Sequence, residues 1–114
     1  MLFRSGGAND TTTLNNIKTV LSAAKTAGHS TIVCTEIKRG DASWTGTMET
    51  YRTSLNTGIK ALTSTHANTI VDLDGLSAFS NASDTTYYDA DQIHLSNGGH
   101  AAVAAAIKTA VLAL

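Results

Sequence analysis

Apolar positions alternate between short continuous runs and longer stretches with helical period. Met1-Leu2-Phe3 opens a strand that stops at Gly6-Gly7. Beyond it, Leu14, Ile17, Val20, Leu21 and Ala24 recur at i, i+3, i+6, i+7 and i+10, which predicts the inward face of a helix. Asp10 and Thr11 to Thr13 offer N-caps, and Gly28 ends the helix. The β-branched run at 31–35 predicts a second strand. After a polar loop over 36–46, Met48, Tyr51, Leu55, Ile59 and Leu62 form a second core-facing stripe. Residues 68–73 read as a third strand, followed by a loop rich in Ser, Asp and Tyr to about residue 88. The last helix starts near Ser96 or Asn97, with Val103, Ile107, Val111 and Leu114 expected to face inward.

Strand and helix alternating three times predict an α/β domain. Its parallel sheet would use residues 1–5, 31–35 and 69–73 in sequential order, linked by crossover helices. A length of 114 residues fits one domain spanning 1–114. In such sheets ligands bind beyond the carboxyl ends of the strands. That rim gathers Gly7-Ala8-Asn9-Asp10, Thr35-Glu36 and Asp72-Leu73-Asp74, with Asp91 to Ser96 beside them.

Composition narrows the function classes. With 42% hydrophobic and 15% charged residues, the chain is globular in composition. A formal net charge of -1 and scattered Lys and Arg argue against a nucleic-acid partner. No apolar run is long enough for a membrane span. Arg4 is not followed by the apolar region of a signal peptide. Cys34 is the single cysteine, so no intrachain disulfide forms and the compartment stays unread. It reads as a small buried hydrophobe, or as a thiol with no base beside it in sequence.

Asp91-Gln92-Ile93-His94 is the most informative segment. An aspartate three residues before a histidine, just ahead of a helix, can accept the imidazole Nδ1–H and leave Nε2 as general base. Equally, the segment reads as a polar loop with a solvated histidine. Gly7-Ala8-Asn9-Asp10 could turn sharply and aim an Asn amide at a developing oxyanion, or be an ordinary turn with Asp10 as cap. Trp44 could line a substrate pocket or anchor its loop. Asp72 and Asp74 could bind a substrate hydroxyl or cap. His94 and His100, six apart, do not share a helical face, so no metal site is expected. His29 and His66 fall at predicted helix ends, where the dipole accounts for them.

Together the two motifs resemble the SGNH hydrolases, the GDSL-like lipases and esterases. Gly7-x-Asn9-Asp10 is similar to the third block of that family. Asp91-x-x-His94, running into Leu95-Ser96-Asn97-Gly98-Gly99-His100-Ala101, is similar to its fifth. The resemblance implies a flavodoxin-like three-layer α/β/α fold, here partial, and hydrolysis of short-chain acyl or acetyl esters through an acyl-enzyme. It casts Asn9 as oxyanion donor, His94 as general base and acid, and Asp91 as the histidine's orienter. It implies no cofactor, and a small ester as substrate.

The family's first block, Gly-Asp-Ser, is absent. Gly40-Asp41-Ala42-Ser43 echoes it after the wrong strand, and Ser5 is a candidate nucleophile or simply a strand residue. Three outcomes are therefore expected: an esterase whose nucleophile segment lies outside this chain, a non-catalytic SGNH-like binding or self-associating domain, or a complete small enzyme using Ser5 or Ser43. An exposed strand at 1–5 would call for a homo-oligomer or a separate N-terminal chain.

Overall fold

The computed structural model describes residues 10–114. The expected first strand, Ser5 and Asn9 lie outside the described residues. Helix α1 spans Asp10–Thr26, with Asp10 placing negative charge at its amino end. It stops where the sequence predicts. Gly28 takes φ +88°, its N–H donates to Lys25 O at 2.9 Å, and the His29 N–H donates to Ala24 O at 3.0 Å. Strand β1, Ile32–Cys34, follows at once. Helix α2, Gly46–Lys60, is capped by Thr45, whose hydroxyl accepts the Met48 N–H at 3.2 Å. Strand β2, Thr69–Val71, pairs parallel with β1 in the register Ile32–Thr69, Val33–Ile70 and Cys34–Val71. A short 3-10 turn at Ser77–Phe79 leads into the long loop, and α3 spans Asn97–Leu112.

Among the described residues the result is a mixed α/β domain with three helices and two short parallel strands. Its core gathers Val71, Leu73, Ala78, Phe79, Ala82, Tyr88 and Ala110, against which Ile32 and Cys34 of β1 pack. Phe79 is fully buried, with the rings of Tyr87 and Tyr88 edge-on at 6.5 and 6.0 Å. Helix α1 lies against α2 closely enough that a Cβ on Gly58 would come within 2.5 Å of Leu14.

Helix phase is where the periodic reading errs. Leu21, Leu55 and Ile59 are buried as expected, but Val20 is 68% exposed and Tyr51 is also exposed. On α2 the buried stripe is Arg52, Leu55, Asn56 and Ile59, at i, i+3, i+4 and i+7. Two polar side chains hold positions that an apolar template overlooks. On α3, Ala102, Val103, Ala106 and Ala110 meet the core, whereas Val111, and Leu114 just beyond the end of the helix, are exposed, contrary to expectation. Helix α3 is apolar on nearly every side, so its pattern cannot set its rotation.

Candidate active site

The carboxyl ends of β1 and β2 are joined through side chains. The Thr35 hydroxyl donates to Asp72 Oδ1 at 2.9 Å and accepts the Asp74 N–H at 3.0 Å. Beneath them sits Arg52, 1% exposed, the largest fully buried side chain. Its guanidinium donates to both Glu49 oxygens at 2.9 and 2.6 Å, to Asp74 Oδ1 at 2.8 Å and to Glu36 O at 2.6 Å. Burial works against its charge, but the Glu49 hydrogen bonds and the Asp74 charge outweigh it and raise its pKa. Asn56, also buried, pairs both ways with the Glu36 main chain: its Oδ1 accepts the Glu36 N–H and its Nδ2 donates to Glu36 O, each at 2.7 Å.

Facing this rim is the segment that carries Asp91 and His94. Tyr88 and Leu95 form an antiparallel bridge, and the Asp89 N–H donates to His94 O at 2.9 Å, closing a tight loop. Gln92, at its tip, takes φ +59°, a conformation non-glycine residues seldom adopt outside such turns. Asp91 organises the turn: Oδ1 accepts the N–H groups of Ile93 and His94, both at 3.0 Å. Its Oδ2 lies 2.5 Å from His94 Nδ1. The first of these effects is the histidine bond, which with the backbone donors pulls the Asp91 carboxyl down to about 2. The same bond raises the His94 pKa above its ordinary value. Asp91 thereby fixes the tautomer with Nδ1 protonated and leaves Nε2 unprotonated in neutral imidazole.

Local sequence explains why the turn sits here. Ser96 caps α3 by accepting the Gly99 N–H at 3.3 Å, while its hydroxyl donates to Thr86 O at 2.6 Å. A Cβ on Gly98 would run into Thr86 O, and one on Gly99 into Tyr87 O. The Gly98-Gly99 pair thus lets α3 begin directly against the strand-like segment before Asp91. Two bonds hold this unit to the loop after β1: the Gly40 N–H to Gln92 O and the Tyr88 hydroxyl to Lys38 O, each 3.0 Å. Burial pushes the Tyr88 phenol up to about 12, so it remains a donor.

Between the loop after β1 and the Asp91 turn opens a cleft of about 560 Å³. His94, Glu36, Lys38, Arg39 and Trp44 line it, with Leu73, Leu95 and Val103. The His94 side chain is 75% exposed. Trp44 therefore does reach the candidate site. Its indole N–H donates to Glu49 at 2.9 Å, and the Arg39 guanidinium lies 4.8 Å over its ring. Asp74 is instead held by Arg52 and serves the rim's architecture. Ser43 donates its hydroxyl to Asp41, which is paired with Arg39 at 2.9 and 3.0 Å. Burial raises the Cys34 thiol pKa, the opposite of an activated nucleophile. Among the described residues no group of three or more His, Cys, Asp or Glu could hold a metal, and no helix is long and apolar enough to cross a membrane.

No family model, curated protein or solved structure matches the chain. Site chemistry alone bears on function.

Proposed function

We propose that this domain is the base-bearing part of a serine-type ester hydrolase for short acyl or acetyl esters. One observation carries the reading: Asp91 holds His94 Nδ1 at 2.5 Å while its other oxygen accepts two backbone N–H groups, and that histidine borders an open cleft. A merely solvated loop histidine does not need a carboxylate saturated with donors behind it. In the proposed reaction His94 Nε2 takes the proton of a serine hydroxyl as its oxygen attacks the ester carbonyl. The imidazolium, stabilised by Asp91, then returns the proton to the departing alcohol. Water repeats the sequence on the acyl-enzyme. Asn9 is proposed as a donor to the tetrahedral oxyanion.

The nucleophile is proposed to come from outside these residues, on a segment placed across the cleft from His94. Three-quarter exposure of the His94 side chain is consistent with a partner surface there. The finer architecture, a flavodoxin-like three-layer domain with residues 1–5 as a third parallel strand, belongs to the same proposal. An apolar groove of about 320 Å³ along β1, lined by Ile17, Val33, Leu55 and Ile59, supports it. A fluorophosphonate probe, which esterifies activated serines, tests where the nucleophile lies. No labelling of this chain is expected, and labelling at Ser5 or Ser43 would make it a complete small enzyme.

A second reading, a self-associating SGNH-like domain, is favoured by α3. Val111 and Leu112 are 51% and 77% exposed, and Ala101, Ala104 and Ala105 are exposed with them. Helices apolar on every side are normally covered.

A further inference from the structure

Tyr88 closes the loop that the sequence marks only as rich in Ser, Asp and Tyr. It is 1% exposed, with its ring edge-on to Phe79 at 6.0 Å in the core cluster. Its hydroxyl reaches across 50 positions of sequence to donate to Lys38 O at 3.0 Å. Burial pushes the phenol up to about 12, so it stays a donor throughout the range in which a histidine titrates. The segment on the receiving side is fastened to the 80–92 loop at both ends as well. Lys38 Nζ donates to Ser80 O at 3.2 Å, and the Gly40 N–H donates to Gln92 O at 3.0 Å. Arg39 stands between them.

Lys38 and Arg39 line the cleft that His94 borders. The Asp91 turn supplies its own internal bonds, but its place relative to that wall depends on the bonds that cross between the two. Arg39 is held within its segment. Asp41 accepts from its Nε and Nη2 at 2.9 and 3.0 Å, and the guanidinium lies 4.8 Å over the Trp44 ring. Its charge therefore moves with the segment as a unit. Around the base, the Asp91 bond and charge raise the His94 pKa most, Asp89 adds to them, and Arg39 opposes them. Glu36 and Lys38 complete the charged lining of the cleft, to which α3 contributes only Val103. Arg39 is thus the cation set against protonation of the ring.

We infer that Tyr88 is a positioning residue for the candidate base. Anchored by its ring in the core, it holds the 38–40 segment through its hydroxyl, and with it the Arg39 guanidinium, at a fixed place in the cleft beside His94. This rests on the reading of His94 as base but concerns how that base is tuned. A tyrosine that served packing alone would need only its ring, and loss of its hydroxyl would leave His94 untouched. Without the Lys38 bond the segment is tethered only near its ends, and Arg39 spends less time near the imidazole. A cation withdrawn from an imidazole lets the ring keep its proton to higher pH. Tyr88 therefore keeps the neutral base available at lower pH than the aspartates alone would allow.

The test follows the His94 ring by NMR titration in the full chain, a readout that needs no substrate. Tyr88→Phe keeps the ring in the core and is expected to raise the His94 pKa. Arg39→Gln is expected to raise it as well. In the double variant Tyr88→Phe should add nothing to Arg39→Gln, because the charge it positions has gone. Should Tyr88→Phe fail to fold, Gly40→Ala displaces the same segment from its far end. Its Cβ would press on Gln92 Oε1 and lie 3.0 Å from Ala82 Cβ, and the His94 pKa should again rise. A His94 titration unchanged or lowered in Tyr88→Phe, or in Gly40→Ala where that stands in for it, overturns the inference. So does a shift just as large with Arg39→Gln already in place. The hydrolase reading fails separately, if His94→Ala leaves ester hydrolysis unaltered.

Discussion

Asp91 and His94 are joined twice, ring to carboxylate at 2.5 Å and main-chain N–H to the second carboxylate oxygen at 3.0 Å. The carboxylate is thus fixed to its own turn before it fixes the ring. Since the bond raises the His94 pKa, the neutral base is expected to accumulate only above the ordinary value of 6.5. Ester hydrolysis should therefore rise with pH along a limb displaced above 6.5. Asp91→Asn should move that limb to lower pH and reduce the neutral-pH rate by roughly tenfold or more. Titration of the His94 ring by NMR in both proteins checks the direction.

Linkage gives the same pair opposite signatures in stability. The folded protein binds the His94 proton more tightly, so that contribution is complete below pH 6.5 and fades as pH climbs through the folded value. Asp91, held at about 2, contributes above 3.8 and ceases to contribute as pH falls towards 2. Both side chains are well exposed, so thermal melts across pH should show only small effects from them.

Arg52 holds the rim together. Its loss would strand Asp74 and leave the Glu36 carbonyl with Asn56 Nδ2 as its remaining donor. We expect Arg52→Leu to cost about 3 kcal/mol, the lower end for breaking a buried pair, because Glu49 and Asp74 keep some contact with water. Urea unfolding measures this, and a loss below about 1 kcal/mol would show that the network is ornamental to the fold.

Gly99→Ala should destabilise by about 1–3 kcal/mol, since its Cβ would meet Tyr87 O and force the start of α3 away. The Asp91 turn hangs from the same segment. The low-field signal of the His94 Nδ1 proton should weaken or broaden in this variant even below its melting temperature.

Association is expected through the uncovered apolar side of α3. Sedimentation should show a dimer or larger species at micromolar concentration, and Leu112→Lys, at a position 77% exposed, should shift it towards monomer without lowering secondary structure. A wild type that remains monomeric up to millimolar concentration would contradict this.

The local chemistry was legible in the sequence. The Gly28 stop, the Ser96 start of α3 and the Asp91–His94 contact are short-range features, set by residues within a few positions of one another. Helix rotation was less so. Tyr51 was placed inward because it falls on the helical stripe of Met48, Leu55 and Ile59, while Arg52 one position later takes the core place, neutralised by Glu49 and Asp74. Glu36 was placed on the rim without a partner, and Asn56 was invisible, for a related reason. Their pairing joins residues twenty positions apart, and no local pattern announces it. The one hint available was the position of Glu36 just past a strand's carboxyl end. Asp74 was on the right rim but was claimed by the buried arginine.

The most direct test is the hydrolysis of p-nitrophenyl acetate by this chain and by His94→Ala across pH. The proposal predicts a weak rate, at most roughly 10³–10⁴ over water, since base and oxyanion donor act without a nucleophile of their own. That rate should rise along a limb above pH 6.5 and disappear in His94→Ala while the fold is retained. A rate that His94→Ala leaves unchanged would contradict the assignment of His94 as the base, and robust turnover abolished by Ser5→Ala would contradict the external nucleophile.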